Sequence, residues 1–191
     1  MAKQTWEPCS ILSPVPAVLV TVRGKDGREN VLTIAWTGTV CSSPAMVYIS
    51  VRKERFSHPM LVESGEFVIN LTTKELAHAA DYCGVKSGRN EDKFETAKLK
   101  REPASVVQAP LLSDSPVNIE CKVEQILELG SHDMFLAKVV AVDVDERYLD
   151  ENGKLDLGKA NLIGYVHGAY FELGKQLGTF GQTVRKRKPR R

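Results

Sequence analysis

The sequence predicts a mainly β protein with helical inserts, built as a β-barrel. Three observations carry this. Short β-branched runs recur at 17–23, 30–36, 45–51 and 67–71. A long segment from 117 alternates apolar and polar residues with period two. Between these lie two stretches with helical start and stop signals. About seven strands and two or three helices in one chain suit a closed or partly closed sheet.

Residues 17–23 form the first strand, ended by Gly24. Lys25-Asp26-Gly27 is turn chemistry, so the strand at 30–36 returns as a hairpin partner. Ser42-Ser43-Pro44 leads into a third strand at 45–51, and 67–71 is a fourth. Between the last two, Ser57 is a suitable N-cap, Pro59 fits a first turn and Gly65 is a suitable stop, which predicts a short helix. Thr72 and Glu75 have capping-box spacing, and Leu76, Ala77, Ala79, Ala80 and Cys83 fall on one helical face. Residues 87–99 read as a polar loop with a short helix around Phe94, and 103–116 as Pro-rich irregular chain. Val117, Ile119, Cys121, Val123, Leu127 and Leu129 alternate with Asn118, Glu120, Lys122, Glu124 and Glu128, the pattern of a half-exposed strand. Gly130-Ser131-His132-Asp133 turns the chain. Residues 134–144 are apolar on both faces and belong in the middle of a sheet, and 165–173 makes a last short strand.

The 191 residues, 42% hydrophobic and 26% charged, suit one domain with a sizeable core. That domain is expected over 1–184. Arg185 to Arg191 holds six basic residues, leaving 20 basic against 24 acidic groups elsewhere. Such a block can grip nucleic acid, but like charges with no apolar anchor read first as a solvated, disordered tail over 185–191. No apolar run approaches the ~20 residues of a membrane span, and the N-terminus lacks a signal-peptide core, so a cytoplasmic protein is expected. The four cysteines lie more than thirty residues apart, which excludes the close thiolate pairs of zinc ribbons and redox motifs. The histidines show no metal-ligand spacing.

Neither a dinucleotide-binding glycine fingerprint nor a P-loop occurs. Three clusters can carry chemistry. Arg52-Lys53-Glu54-Arg55-Phe56-Ser57 joins a strand to a helix N-terminus, where free N–H groups, cations and a hydroxyl make a phosphate cradle. A charged turn capped by Ser57 explains the same residues. Residues 30–43 run from a strand into small and hydroxylated residues. Gly38 permits close approach and Trp36 offers a π-face, so a flat ligand fits. A core tryptophan followed by a loop fits equally. His132, at a turn beside Asp133, is either turn chemistry or a proton-handling group.

Together, Asn30-Val-Leu-Thr-Ile-Ala-Trp-Thr-Gly-Thr-Val-Cys-Ser, Tyr48-Ile-Ser-Val-Arg, Phe67-Val-Ile-Asn-Leu, Cys83-Gly-Val-Lys-Ser-Gly-Arg-Asn-Glu-Asp-Lys-Phe and Gly130-Ser-His-Asp-Met-Phe-Leu-Ala-Lys-Val-Val are similar in order and spacing to a known family. The chain resembles the flavin reductase-like, FMN-binding split-barrel family over about residues 10 to 173, closest to its flavoredoxin branch. The resemblance implies a homodimer of split barrels binding FMN non-covalently. It assigns Asn30, Trp36, Thr37 and Ser42 to the isoalloxazine and ribityl region, with Gly38 beside them. Arg52, Lys53, Arg55 and Ser57 are assigned to the phosphate. Lys93 and Phe94 close over the cofactor, and His132 and Tyr165 approach it, His132 being the candidate for tuning or protonating reduced flavin. Ser131 stands where many relatives have Asp, which weakens a nicotinamide role for that turn. The expected function is passage of electrons from NAD(P)H or a protein donor through FMN. An electron carrier without NAD(P)H oxidation is the alternative, and a module for another phosphorylated ligand or nucleic acid is the outlying one.

Overall fold

The apolar residues of the first hairpin divide between two cores, one on each face of its strands. In the computed structural model, which describes residues 1–185, β1 (Val15–Pro16) precedes the hairpin of β2 (Val18–Arg23) and β3 (Glu29–Ile34). There follow β4 (Thr37–Ser42), β5 (Ala45–Arg52), α1 (Ser57–Ser64), β6 (Glu66–Asn70), α2 (Ala77–Val85) and α3 (Lys93–Thr96). The chain continues with β7 (Arg101–Glu102), β8 (Leu111–Leu112), β9 (Val117–Glu128), β10 (His132–Val144), β11 (Ile163–Val166) and β12 (Ala169–Glu172). Of the predicted tail, residues 186–191 lie outside the described residues.

Seven strands form one sheet in the order β3-β2-β6-β9-β10-β5-β4, and its pairings are antiparallel. Leu32 and Ile34 of β3 share a core with Val47, Ile49 and Val51 of β5, although five strand-to-strand steps separate the two in the sheet. Only a sheet rolled on itself brings them together. No ladder joins β3 to β4, so the barrel stays open along that seam, as a split barrel does. Met60 and Leu61 of α1 plug the same core. On the outside, Leu19 and Val31 pack with Leu76, Ala79, Cys83 and Phe94, so β2 and β3 are buried on both faces by α2 and α3. A smaller sheet, β1-β11-β12, stands beside the seam. Among the described residues no helix is long and apolar enough to cross a membrane.

Most predicted elements are present, and β10 lies centrally as its two apolar faces require. Several expectations are corrected. Residues 37–42 form a strand, not a loop, because β4 hairpins back onto β5 and Thr37 Oγ1 donates to Tyr48 O at 2.5 Å. Ser57 does not cap α1: it is the first helical residue, and its hydroxyl accepts from Asn30 Nδ2 at 2.6 Å. The capping box at Thr72 and Glu75 does not form. Residues 72–74 are held as extended chain by Ile163 N to Thr72 O (3.2 Å) and Lys74 N to Asn161 O (2.8 Å), which delays α2 to Ala77. The last segment is a hairpin of two strands rather than one, since His167 and Gly168 both take positive φ in a two-residue turn.

The half-exposed reading of β9 fails at its start. Asn118 and Glu120 are buried, because residues 105–112 strap across that face. Burial alone favours the neutral acid. Even so, Ser105 N, Ser105 Oγ, Val106 N and Val107 N all donate to Glu120, holding its carboxyl down to about 2.

Candidate functional site

The open seam of the barrel is also where the candidate residues gather. A cleft of ≈ 410 Å³ runs along it, walled by Trp36 from the β3–β4 connection, Ser50 and Arg52 from β5, Asp81 and Gly84 from α2, and Tyr165 and Tyr170 from the β11–β12 hairpin. His132 completes this aromatic end. As the first residue of β10 it pairs with Arg52, and its ring lies 4.4 Å from that of Trp36, tilted by 37°. Burial lowers the His132 pKa and the Arg52 guanidinium lowers it further, so the imidazole is neutral at pH 7. Ser131 Oγ lies 2.9 Å from Nδ1. Tyr165 and Tyr170 are cross-strand partners in edge-to-face contact, 5.3 Å between centroids.

Arg55 links this end to a second compartment of ≈ 210 Å³ that opens on the start of α1. Asn30, Ser57 and Lys93 line it, each at most 4% exposed. The loop that follows α2 supplies Lys86, Ser87, Gly88 and Arg89. Four cations, Arg55, Lys86, Arg89 and Lys93, face one carboxylate, Glu54, so the compartment selects an anion. Gly88 is required by close packing: a Cβ there would stand 2.3 Å from Asn30 Oδ1.

Lys93 is the least ordinary group in the molecule. Its ammonium is buried, and among the described residues its partners are the carbonyls of Cys83 (3.3 Å) and Lys86 (3.2 Å). Burial pushes its pKa down to about 8, and nearby Arg55 pushes in the same direction. Arg55 likewise donates to a carbonyl, Gly84 O at 2.7 Å, and has no carboxylate partner among the described residues. Two cations that share a cavity and make no ion pair among the described residues fit a phosphate, beside a helix start whose first N–H groups have no intrahelical acceptor. The aromatic end fits a flat ring. The two compartments therefore suit a planar group carrying a phosphomonoester.

Of the sequence-derived site residues, the structure brings together Asn30, Trp36, Arg52, Arg55, Ser57, Lys93, His132 and Tyr165. Arg52 belongs to the aromatic end, beside His132, rather than to the anion compartment. Thr37, Gly38 and Ser42 lie on β4, outside both compartments, and Gly38 packs on the Tyr48 ring. Phe94 is a core residue, 2% exposed, where it anchors α3 against β3. Lys53 points away, to Glu128 (2.7 Å) and Asp133 (3.4 Å). Sequence reasoning missed Asp81, Tyr170, Gly88 and Arg89. The Lys-Ser-Gly-Arg run at 86–89, a glycine among cations, was the available signal for the last two.

Comparison with known proteins points the same way. The family described as flavin reductase like domain matches residues 12–174. Flavoredoxin of Desulfovibrio vulgaris (Miyazaki F) superposes with a TM-score of 0.89 at 30% identity, covering 96% of this chain and 100% of that one. Flavoredoxin from Methanosarcina acetivorans gives a TM-score of 0.86 at 24% identity over 96% and 100% of the two chains. A flavin reductase (NADH) of Kitasatospora aureofaciens is 26% identical over 130 residues, 67% of this chain and 65% of its own length.

Proposed function

The chain belongs to the flavin reductase-like domain family, and from that premise we propose that it is an FMN-binding oxidoreductase whose cofactor spans both compartments of the seam. The observation that carries this is the pairing of an aromatic cleft with an anion compartment that holds two cations, Arg55 and Lys93, with no ion pair among the described residues. Arg55, Ser57, Lys93 and the first turn of α1 bind the phosphate, and Asn30 orients the Ser57 hydroxyl toward it. Trp36, Tyr165 and Tyr170 would flank the ring while leaving one side of it open to a second reactant. Bound FMN supplies the hydride and single-electron chemistry, and the protein supplies position and electrostatics. His132, neutral at pH 7, accepts or returns a proton at the ring edge, while the Arg52 guanidinium beside it favours negative charge on a reduced ring.

The electron source is NAD(P)H or a reduced protein. The active unit is a homodimer: Met46, Tyr48, Met134 and Leu136 lie on the outward face of β5 and β10, and the chain ends carry exposed Trp6, Leu12, Leu177 and Phe180. The likeness to a flavoredoxin at 30% identity favours a second reading, an electron carrier that does not oxidise NAD(P)H. The test is the visible spectrum of the purified protein, loaded with FMN, before and after anaerobic NADH or NADPH. Flavin absorbance that bleaches supports a reductase, and absorbance that persists supports the carrier. Failure to take up FMN at all would overturn both.

A further inference from the structure

Arg52 ends β5, Arg55 lies in the tight connection that follows and Ser57 begins α1, with Arg55 N donating to Arg52 O (3.1 Å) and His58 N to Arg55 O (3.0 Å). Two other residues of the same stretch, Lys53 in the connection and His58 in the first turn of α1, face the other way and converge on one carboxylate. His58 Nε2 lies 2.7 Å from Asp133 Oδ2, and Lys53 Nζ lies 3.4 Å from Asp133 Oδ1. Asp133 is 5% exposed and pairs with Val51 in the ladder, one residue from the His132–Arg52 pair. The His58 ring is wedged edge-on against Phe135, 5.5 Å between centroids at 72°, which leaves it little room to turn. Lys53 is steadied from outside by Glu128 at 2.7 Å. A buried anion gripped from both sides fixes what it is attached to, because releasing either partner leaves the charge uncompensated.

We propose that Asp133 is a positioning residue for the phosphate end of the site. Its carboxylate buckles the 53–58 connection onto β10 and thereby sets Arg55 and Ser57 against the anion compartment. The proposal rests on the FMN reading above. It also gives Lys53 a role behind the phosphate groups rather than among them, since its ammonium never reaches the compartment.

The test uses two flavins that differ only in the phosphate. FMN and riboflavin are titrated by fluorescence quenching against the parent protein, Asp133→Asn, His58→Gln and Lys53→Met. The expected result for Asp133→Asn is an FMN dissociation constant about tenfold higher with that for riboflavin unchanged. His58→Gln and the exposed Lys53→Met should shift the same ratio by less. Lys53 is close to half exposed, so its variant keeps the proposal testable if the buried substitutions fail to fold. An FMN-to-riboflavin ratio equal to the parent's in the folded variants would overturn the proposal, including the case where both affinities fall together, which marks a merely structural role. A parent protein that binds neither flavin would instead overturn the FMN reading itself.

Discussion

The anion compartment and the aromatic cleft share Arg55 but are built differently. At the anion end Asn30, Ser57 and Lys93 are buried and held by hydrogen bonds to protein groups. At the aromatic end Trp36 is 43% exposed and the tyrosines stand on a separate three-stranded sheet. Buried, pre-oriented donors lose little entropy on binding, so the anion end should supply most of the affinity. The aromatic end is accessible to a second reactant and should govern chemistry more than binding.

The sharpest way to break this contrast is Arg55→Ala, which removes the cation common to both ends. It should weaken FMN binding by about 2 kcal/mol, roughly thirtyfold in dissociation constant. A fluorescence titration checks this, and parent-like affinity would contradict it. Next comes pH. A phosphate favours protonated Lys93 and raises its pKa in the complex. FMN affinity should therefore hold steady between about pH 7 and pH 8, where the phosphate is a dianion, and fall by up to about tenfold per pH unit above that, until the complex's own pKa is reached. Lys93→Met should abolish that dependence. The same shift affects the protein without ligand. The Lys93 pKa of about 8 when folded lies below its usual 10.5, so the unfolded chain holds more protons across that window. Stability measured by denaturant should accordingly rise from pH 8 toward 10.5 in the parent and not through this group in Lys93→Met.

Smaller effects belong to the aromatic end. Trp36→Ala should cost about 1 kcal/mol of FMN affinity, less than any loss at Arg55. A titration that ranked Trp36 above Arg55 would invert the comparison. His132→Ala should leave affinity nearly unchanged while shifting the flavin reduction potential by about 30 mV, the equivalent of ~1.4 kcal/mol for two electrons. An unaltered potential and reoxidation rate would remove His132 from the chemistry.

What was legible in the sequence follows the same physics. Hairpin β2–β3, helix α1 and the central place of β10 were readable because local turn chemistry and two-faced apolarity determine them. Strand β4 was not, since Thr37, Gly38 and Thr39 carry no alternation and only the ladder to β5 makes them a strand. Glu120 looked exposed because its partners, the backbone amides of 105–107, bear no sequence signature. In the candidate site, Arg55 and Ser57 were recognisable by type and spacing, and Lys93 only through the family resemblance. Phe94 was misassigned because a lone aromatic in a polar loop looks the same whether it covers a ligand or fills a core. Asp133 was visible beside His132, but its contacts with His58, 75 residues away, and with Lys53, still farther along the chain, exist only in three dimensions.

The central claim is that one flavin lies across both ends with its phosphate at the buried one. A crystal structure of the protein grown with FMN tests it most directly. Phosphate density is expected among Asn30, Arg55, Ser57 and Lys93, with the ring beside Trp36 and His132. Phosphate density at the tyrosine hairpin, or a ring seated in the compartment of Ser57 and Lys93, would contradict it.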